Sequence, residues 1–95
     1  MENVILCGQA EIEDLIVEYF VISEPLCAER TDILRYGIMI RENLGFQFLN
    51  ELIIKDLFFD RNEAEKFMNK LVRYKIKINN AIDFLLGYIS RELHY

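Results

Sequence analysis

The spacing of the apolar residues changes once along this chain, near residue 60, and that change limits the fold more than any other feature. Before it, three apolar runs (15–22, 34–42 and 46–55) are rich in the β-branched and aromatic side chains that strands favour. After it, apolar side chains recur every three or four positions, as in an amphipathic helix. Because strands and helices are grouped rather than alternating, the sequence predicts an α+β fold.

The segments between the apolar runs predict how the strands connect. Residues 43–45 (Asn-Leu-Gly) separate the second and third runs, and a three-residue loop with a left-handed glycine commonly joins antiparallel strands. Pro25 ends the first run, so we expect a longer loop over residues 23–33. Residues 3–7 are the candidate for a short fourth strand. The expected sheet is an antiparallel meander of three or four strands.

The first helix has the clearest sequence pattern in the chain. Asp60 and Glu63 have the spacing of a capping box, and the helix that they begin is expected over residues 60–74. Its apolar stripe consists of Ala64, Phe67, Met68, Leu71 and Val72.

The second helix is expected over residues 80–93, with Asn79 or Asn80 as its N-cap. Its apolar side chains cover half of its circumference, in two stripes: Ile82, Leu85, Leu86, Ile89 and Leu93, and Ala81, Phe84 and Tyr88. A helix of this kind must contact two neighbours. One is the sheet, and the other is either the first helix or a second copy of the protein.

Both helices are expected on one face of the sheet, in a single domain that comprises all 95 residues. Alternation along the strands assigns one set of side chains to the core between that face and the helices. The set is Leu15, Val17, Tyr19, Val21, Tyr36, Ile38, Ile40, Phe46, Phe48, Leu52 and Ile54.

Composition and charge narrow the class of protein. A hydrophobic content of 53% is too high for a disordered chain. The formal net charge of −5 argues against binding to a phosphate backbone, and residues 1–29 carry acidic but no basic side chains. No basic region precedes an apolar segment, and no apolar segment reaches the roughly 20 residues of a membrane span. We therefore expect a soluble cytoplasmic protein in which Cys7 and Cys27 are reduced thiols.

Five segments together carry a family resemblance: Tyr36-Gly37-Ile38, Ile53-Ile54-Lys55-Asp56-Leu57, Asp60 at a helix start, Leu71-Val72, and Ile82-Asp83-Phe84-Leu85. In this order they resemble a family of short proteins of Gram-positive anaerobes that is classed as a domain of unknown function. The resemblance covers residues 15–90. It supports a layout of strands followed by helices, and it implies no catalytic residue, cofactor or ligand.

The side chains that catalysis or metal binding requires are sparse. The only histidine is His94, on the last predicted helical turn. Cys7 and Cys27 lie in the acidic third of the chain, whereas a reactive thiolate needs a cationic neighbourhood. The sequence has no CxxC or HxxxH pattern and no glycine-rich phosphate loop. We therefore expect a protein that is not an enzyme and has no catalytic, cofactor-binding or metal-binding residues.

A basic stripe on the first helix is the candidate for anion binding. Its residues are Lys66, Lys70, Arg73 and Lys77. The simpler interpretation is a solvated helix face, since a charged helix face is usually only that. The alternative is a small-molecule or nucleic-acid binder that uses the basic helix 61–77. The acidic N-terminal third would repel a nucleic acid, so the sequence argues against that partner.

The face of the sheet opposite the helices is the candidate interface. Its expected apolar residues are Ile16, Phe20, Ile22, Met39, Leu49 and Ile53. Monomers seldom leave so large an apolar patch in water. It is covered either by the N-terminal segment 4–7 or by a second copy that packs sheet to sheet, and four residues are few to cover six large side chains. The sequence therefore predicts a homodimer and a self-associating protein-interaction module.

Overall fold

A four-stranded antiparallel sheet followed by two helices forms the molecule, which confirms the predicted α+β fold. The computed structural model describes the backbone of residues 3–93 and the side chains of residues 3–91. Its elements are β1 (Asn3–Ile12), β2 (Leu15–Cys27), β3 (Arg30–Leu44), β4 (Gln47–Phe58), α1 (Arg61–Arg73) and α2 (Ile78–Leu93). The strands lie in the order β1-β2-β3-β4, so each pairs with its neighbours in sequence.

The predicted loop over residues 23–33 is wrong, because β2 and β3 continue to pair through most of it. Cys27 pairs with Arg30, and only Ala28 and Glu29 form the turn between these strands. Pro25 does not end β2. It lies beyond the paired end of the described part of β1, where β2 has a hydrogen-bonded neighbour on one side only, and proline is tolerated at such an edge position.

The candidate fourth strand is present and is longer than predicted. It is β1, which pairs with β2 from Asn3 opposite Ser23 to Ile12 opposite Leu15. A β-bulge at Cys7 interrupts this register. The N-terminal segment therefore lies beside β2, in the plane of the sheet, and not across a face of it.

The core lies between the helices and one face of β2 and β3. Its most buried side chains are Val17, Tyr19, Val21, Ile38 and Ile40 from the sheet and Ala64, Phe67, Met68 and Leu71 from α1. Ala81, Leu85 and Tyr88 complete it from α2. Phe67 lies at the centre, with its ring centroid 5.0 Å from that of Tyr88 and 5.9 Å from that of Phe84. The predicted core residues Leu15, Tyr36, Leu52 and Ile54 are half-buried against this cluster.

Two predicted core residues, Phe46 and Phe48, are exposed instead. The β3–β4 hairpin is confirmed, but its turn is Gly45-Phe46 rather than residues 43–45, so Phe46 lies at an open tip. Phe48 pairs with Asn43 because a β-bulge interrupts β4 next to it. One extra residue in a strand reverses the alternation of side chains between the two sides of the bulge. Phe48 therefore lies on the opposite face from Leu52 and Ile54 and points away from the helices.

Helix α1 begins and ends as its sequence predicts. The Asp60 carboxylate accepts a hydrogen bond of 3.0 Å from the backbone N–H of Asn62. At the other end, the N–H of Ile76 donates to the Leu71 carbonyl (3.0 Å) and the N–H of Lys75 donates to the Val72 carbonyl (3.2 Å). These two bonds form a Schellman motif, in which Lys75 takes a left-handed φ of 53°.

Helix α2 begins at Ile78, and its predicted N-cap, Asn79 or Asn80, is wrong. The side chain that accepts from the first turn comes from β3 instead. The Ile78 N–H donates to Glu42 Oε2 at 2.8 Å, which places a carboxylate at the positive end of the helix dipole. Next to it, the Tyr19 hydroxyl donates to the Ile76 carbonyl at 2.7 Å. The sheet therefore fixes the connection between the two helices.

Candidate functional site

The face of the sheet that points away from the helices, which we call the outer face, has side chains arranged in rows across the strands. Register places one side chain from each strand in a single apolar row: Leu6, Phe20, Met39 and Ile53. Val4 and Ile22 form a shorter apolar row beside it. The ends of the longer row are open to solvent, because Leu6 is 52% exposed and Ile53 is 47% exposed. In its middle Phe20 is half-buried and Met39 is buried, as is Ile22 in the shorter row.

Rows of polar, mostly charged side chains flank these apolar rows on both sides. One consists of Gln9, Glu18, Arg41 and Glu51, and the other contains Glu24 and Arg35. Arg41 binds Glu51 through contacts of 2.7 and 3.0 Å, and Lys55 approaches Glu24 to 3.9 Å. An apolar centre with a charged margin is the pattern of a protein–protein interface.

Five of the six predicted interface residues share the outer face: Ile16, Phe20, Ile22, Met39 and Ile53. Leu49 lies at the bulge in β4 without a paired residue on β3, and Phe48 occupies the neighbouring outer position. Sequence reasoning missed Val4, Leu6 and Phe48. The alternation of Val4 and Leu6 was a signal for the first two, but only once β1 is known to pair with β2.

The N-terminal segment does not cover the outer face. It belongs to β1 and contributes Val4 and Leu6 to the apolar rows. Nothing else in residues 3–93 forms a layer on this side, and the molecule measures 43 × 36 × 17 Å along its principal axes. Its accessible surface is 6340 Å². A compact monomer of this mass exposes about 5,700 Å². The chain thus exposes more surface than its size requires.

A second apolar surface lies on α2. Ile82, Leu86 and Ile89 are exposed, while Phe84 and Tyr88 on the adjoining side of the helix contact Phe67 of α1. The stripe that contains Phe84 and Tyr88 therefore has α1 as one of its neighbours. Leu85, predicted on the other stripe, is buried in the core.

The basic stripe is only partly assembled. Lys66, Lys70 and Arg73 lie exposed on α1, whereas Lys77 is half-buried in the connection between the helices. Lys66 approaches Glu63 to 3.8 Å, and the Lys70 ammonium lies 5.1 Å from the ring centroid of Tyr88. Within the described chain these side chains line no cavity.

Neither thiol belongs to a cluster of metal-ligating side chains, since the described residues contain no such cluster. Cys27 is exposed near the β2–β3 turn. Cys7 is half-buried at the β1 bulge, and this burial is the main reason why the pKa of its thiol is raised. A raised pKa reduces the thiolate fraction and with it the nucleophilicity of Cys7. His94, the only histidine, lies outside the described residues.

No family model, curated protein or solved structure matches this chain. The resemblance to a family of short proteins of Gram-positive anaerobes therefore stays a prediction. Neither α1 nor α2, the helices of the described segment, has the length and hydrophobicity to cross a bilayer. Among the features described above, the outer face therefore gives the strongest indication of function.

Proposed function

We propose that this protein is a self-associating interaction module in which the outer face of one copy packs against the outer face of another. One observation carries the proposal. An apolar row crosses all four strands, its two ends are exposed, and no second layer of the described chain lies over it. Contiguous apolar surface of this kind is rare on monomers and usually marks an interaction site.

The outer face is large enough for a stable contact. It spans four strands, and on β2 it extends from Ile16 to Glu24. With strands about 4.8 Å apart and about 3.4 Å of rise per residue, its projected area is about 600 Å². Side-chain relief increases this value, and a standard interface buries about 800 Å² on each partner. Two copies of this face therefore suffice for a dimer.

The proposal gives the protein a binding role rather than a catalytic one, and places it in the cytoplasm. Two features support this assignment. Cys7 and Cys27 are free thiols, as is usual in a reducing compartment. The exposed charges of α1 adjoin no cavity within residues 3–93 that would hold a small molecule.

Charge substitution on the apolar row tests the proposal. Phe20→Glu and Ile53→Glu each place a carboxylate where an apolar side chain would face the second copy. We expect both to convert a dimer into a monomer in sedimentation velocity, with helix content by circular dichroism unchanged. Ile53 is the cleaner position because it is more exposed than Phe20, and its substitution perturbs the folded monomer less.

Phe46→Glu is the matched control. It makes the same kind of change at a fully exposed turn that does not belong to the outer face. We expect this variant to remain dimeric. A wild-type protein that sediments as a monomer at high micromolar concentration would refute the proposal.

A further inference from the structure

We propose that the two copies are related by a two-fold axis that runs parallel to the strands, between β2 and β3. In this arrangement β2 of each copy lies over β3 of the other, and the strand axes of the two sheets are nearly aligned. The inference rests on the proposed self-association and adds the geometry of the partner.

On the two central strands, the charges of the outer face are sorted by strand. β2 contributes two carboxylates, Glu18 and Glu24, and β3 contributes two guanidinium groups, Arg35 and Arg41. Within one sheet, Glu18 lies opposite Arg41 and Glu24 lies opposite Arg35 in the strand register. A two-fold axis parallel to the strands exchanges β2 with β3 and keeps each row in place. Each carboxylate of one copy then lies over an arginine of the other.

The apolar row is matched by the same operation. Phe20 on β2 lies over Met39 of the second copy, and Leu6 on β1 lies over Ile53 of the second copy. The apolar row of one copy therefore packs on the apolar row of the other, and β1 of each copy lies over β4 of the other. Aligned packing of this kind, with the sheets rotated by about 30°, is common for twisted sheets.

A two-fold axis perpendicular to the strands gives the opposite result. It keeps β2 over β2 and reverses the order of the rows. When the apolar rows are then placed in contact, Glu18 faces Glu24 of the second copy and Arg41 faces Arg35 of the second copy. Like charges at an interface oppose association, so the charge pattern selects the parallel axis.

The Arg35 side chain is held in place for this contact. Its guanidinium carbon lies 4.3 Å from the ring centroid of Phe59, which holds the side chain in place. Its Nε is buried, yet no group in the described chain accepts a hydrogen bond from it. The proposed dimer brings the Glu24 carboxylate of the second copy to this guanidinium group.

Spin-label distances at the ends of the sheet distinguish the two axes. Cys7→Ala and Cys27→Ser first remove the native thiols, and sedimentation shows that the background remains dimeric. A nitroxide is then attached to Phe46→Cys at the β3–β4 turn or, in a separate protein, to Glu29→Cys at the β2–β3 turn. Because the parallel axis keeps equivalent turns at the same end, we expect inter-label distances below about 30 Å for both.

The perpendicular axis places equivalent turns at opposite ends, with distances above about 40 Å. Long distances from both labels would overturn the proposed axis and leave self-association intact. A monomeric mass without dipolar coupling would instead overturn the proposed function itself. A dimer with both distances short supports the proposal.

Charge reversal gives a second and independent test. Under the proposed axis, Arg35→Glu faces Glu24 of the second copy, and we expect the dimer dissociation constant to rise about tenfold or more. The double variant Glu24→Arg with Arg35→Glu restores the opposite-charge contact and should recover most of this loss. Under the perpendicular axis, Arg35→Glu would face Arg41 of the second copy and tighten the dimer. An Arg35→Glu variant that binds itself more tightly therefore contradicts the proposal.

Discussion

At the scale of single residues, Tyr19 links the sheet to the connection between the helices. Its ring is fully buried in the core, and its hydroxyl donates to the Ile76 carbonyl. Burial, together with the nearby Glu42 carboxylate, raises the pKa of Tyr19 to about 12. An ordinary tyrosine has a pKa of about 10. The folded state therefore keeps a neutral phenol over a pH range in which the unfolded chain ionises.

This difference makes stability depend on pH in a defined direction. The contribution of Tyr19 is complete below pH 10 and is lost as the pH rises towards 12, because only the unfolded state releases the proton in that range. We expect the free energy of unfolding to fall by about 2–3 kcal/mol between these limits. Urea titrations at a fixed protein concentration measure this change.

Tyr19→Phe is the control for this prediction. Without the hydroxyl, the Ile76 carbonyl lacks its donor, so we expect about 1 kcal/mol less stability at neutral pH. The variant should also lose the steep part of the alkaline profile. An identical alkaline slope in the wild type and in Tyr19→Phe would show that other groups cause the effect.

At the scale of elements, the C-terminus of α1 contains a residue whose type does not suit its conformation. Lys75 has a left-handed φ of 53°, and a β-carbon makes that conformation unfavourable by about 1–2 kcal/mol. Glycine adopts it freely but loses more entropy on folding. We expect Lys75→Gly to stabilise the protein by about 0.5–1 kcal/mol, measured by urea denaturation.

Lys75→Ala separates backbone strain from charge. It removes the same ammonium group and keeps the β-carbon, so we expect no stabilisation. If Lys75→Ala stabilises the protein as much as Lys75→Gly, the charge of Lys75 and not its backbone conformation is responsible.

Helices were predictable from the sequence because their signals are local. The Asp60 cap and the apolar stripe of α1 are read within a few positions, and α1 begins and ends within one residue of its predicted bounds. The cap of α2 was not predictable in this way. It is supplied by Glu42, which lies 36 residues away in sequence, and no pattern near Ile78 indicates a partner from β3.

Strand lengths and faces were less predictable, because they depend on pairing. Register shifts interrupt each of the three strand pairs, and the one-residue bulges at Cys7 and Leu49 reverse the side of the sheet on which the alternation continues. Phe48 illustrates the result, since simple alternation places it in the core. Gly37 marks another such place. A β-carbon there would contact Ile54 O and lie 2.9 Å from Lys55 Cα, so glycine is required where β4 bulges towards β3.

At the scale of the whole molecule, the sequence was sufficient to predict an apolar sheet face but not that β1 extends this face. Ile16, Phe20, Ile22, Met39 and Ile53 were identified by alternation alone. The contribution of β1 required knowledge of the fold, because residues 4–7 fit equally well as a cover for the face or as a fourth strand. The structure selects the strand, which enlarges the uncovered surface instead of hiding it.

Self-association also predicts how thermal stability responds to concentration. A dimer that unfolds to monomers is stabilised by mass action, by about 1.4 kcal/mol per mole of dimer for each tenfold rise in concentration. We expect the melting temperature of the wild type to increase with protein concentration, measured by calorimetry. That of Ile53→Glu should stay constant. A concentration-independent melting temperature of the wild type would count against the dimer.

The meander topology also bears on how fast the chain folds. Every strand pairs with the strand next to it in sequence, and turns of two residues connect them. Loop closure is therefore short at each step, and hairpins of this kind form in about 1–10 μs. The contact of α1 with β1 joins distant parts of the chain, since β2, β3 and β4 lie between them in sequence. Docking of the helices is consequently the step that closes the largest loop, and we expect it to limit the folding rate.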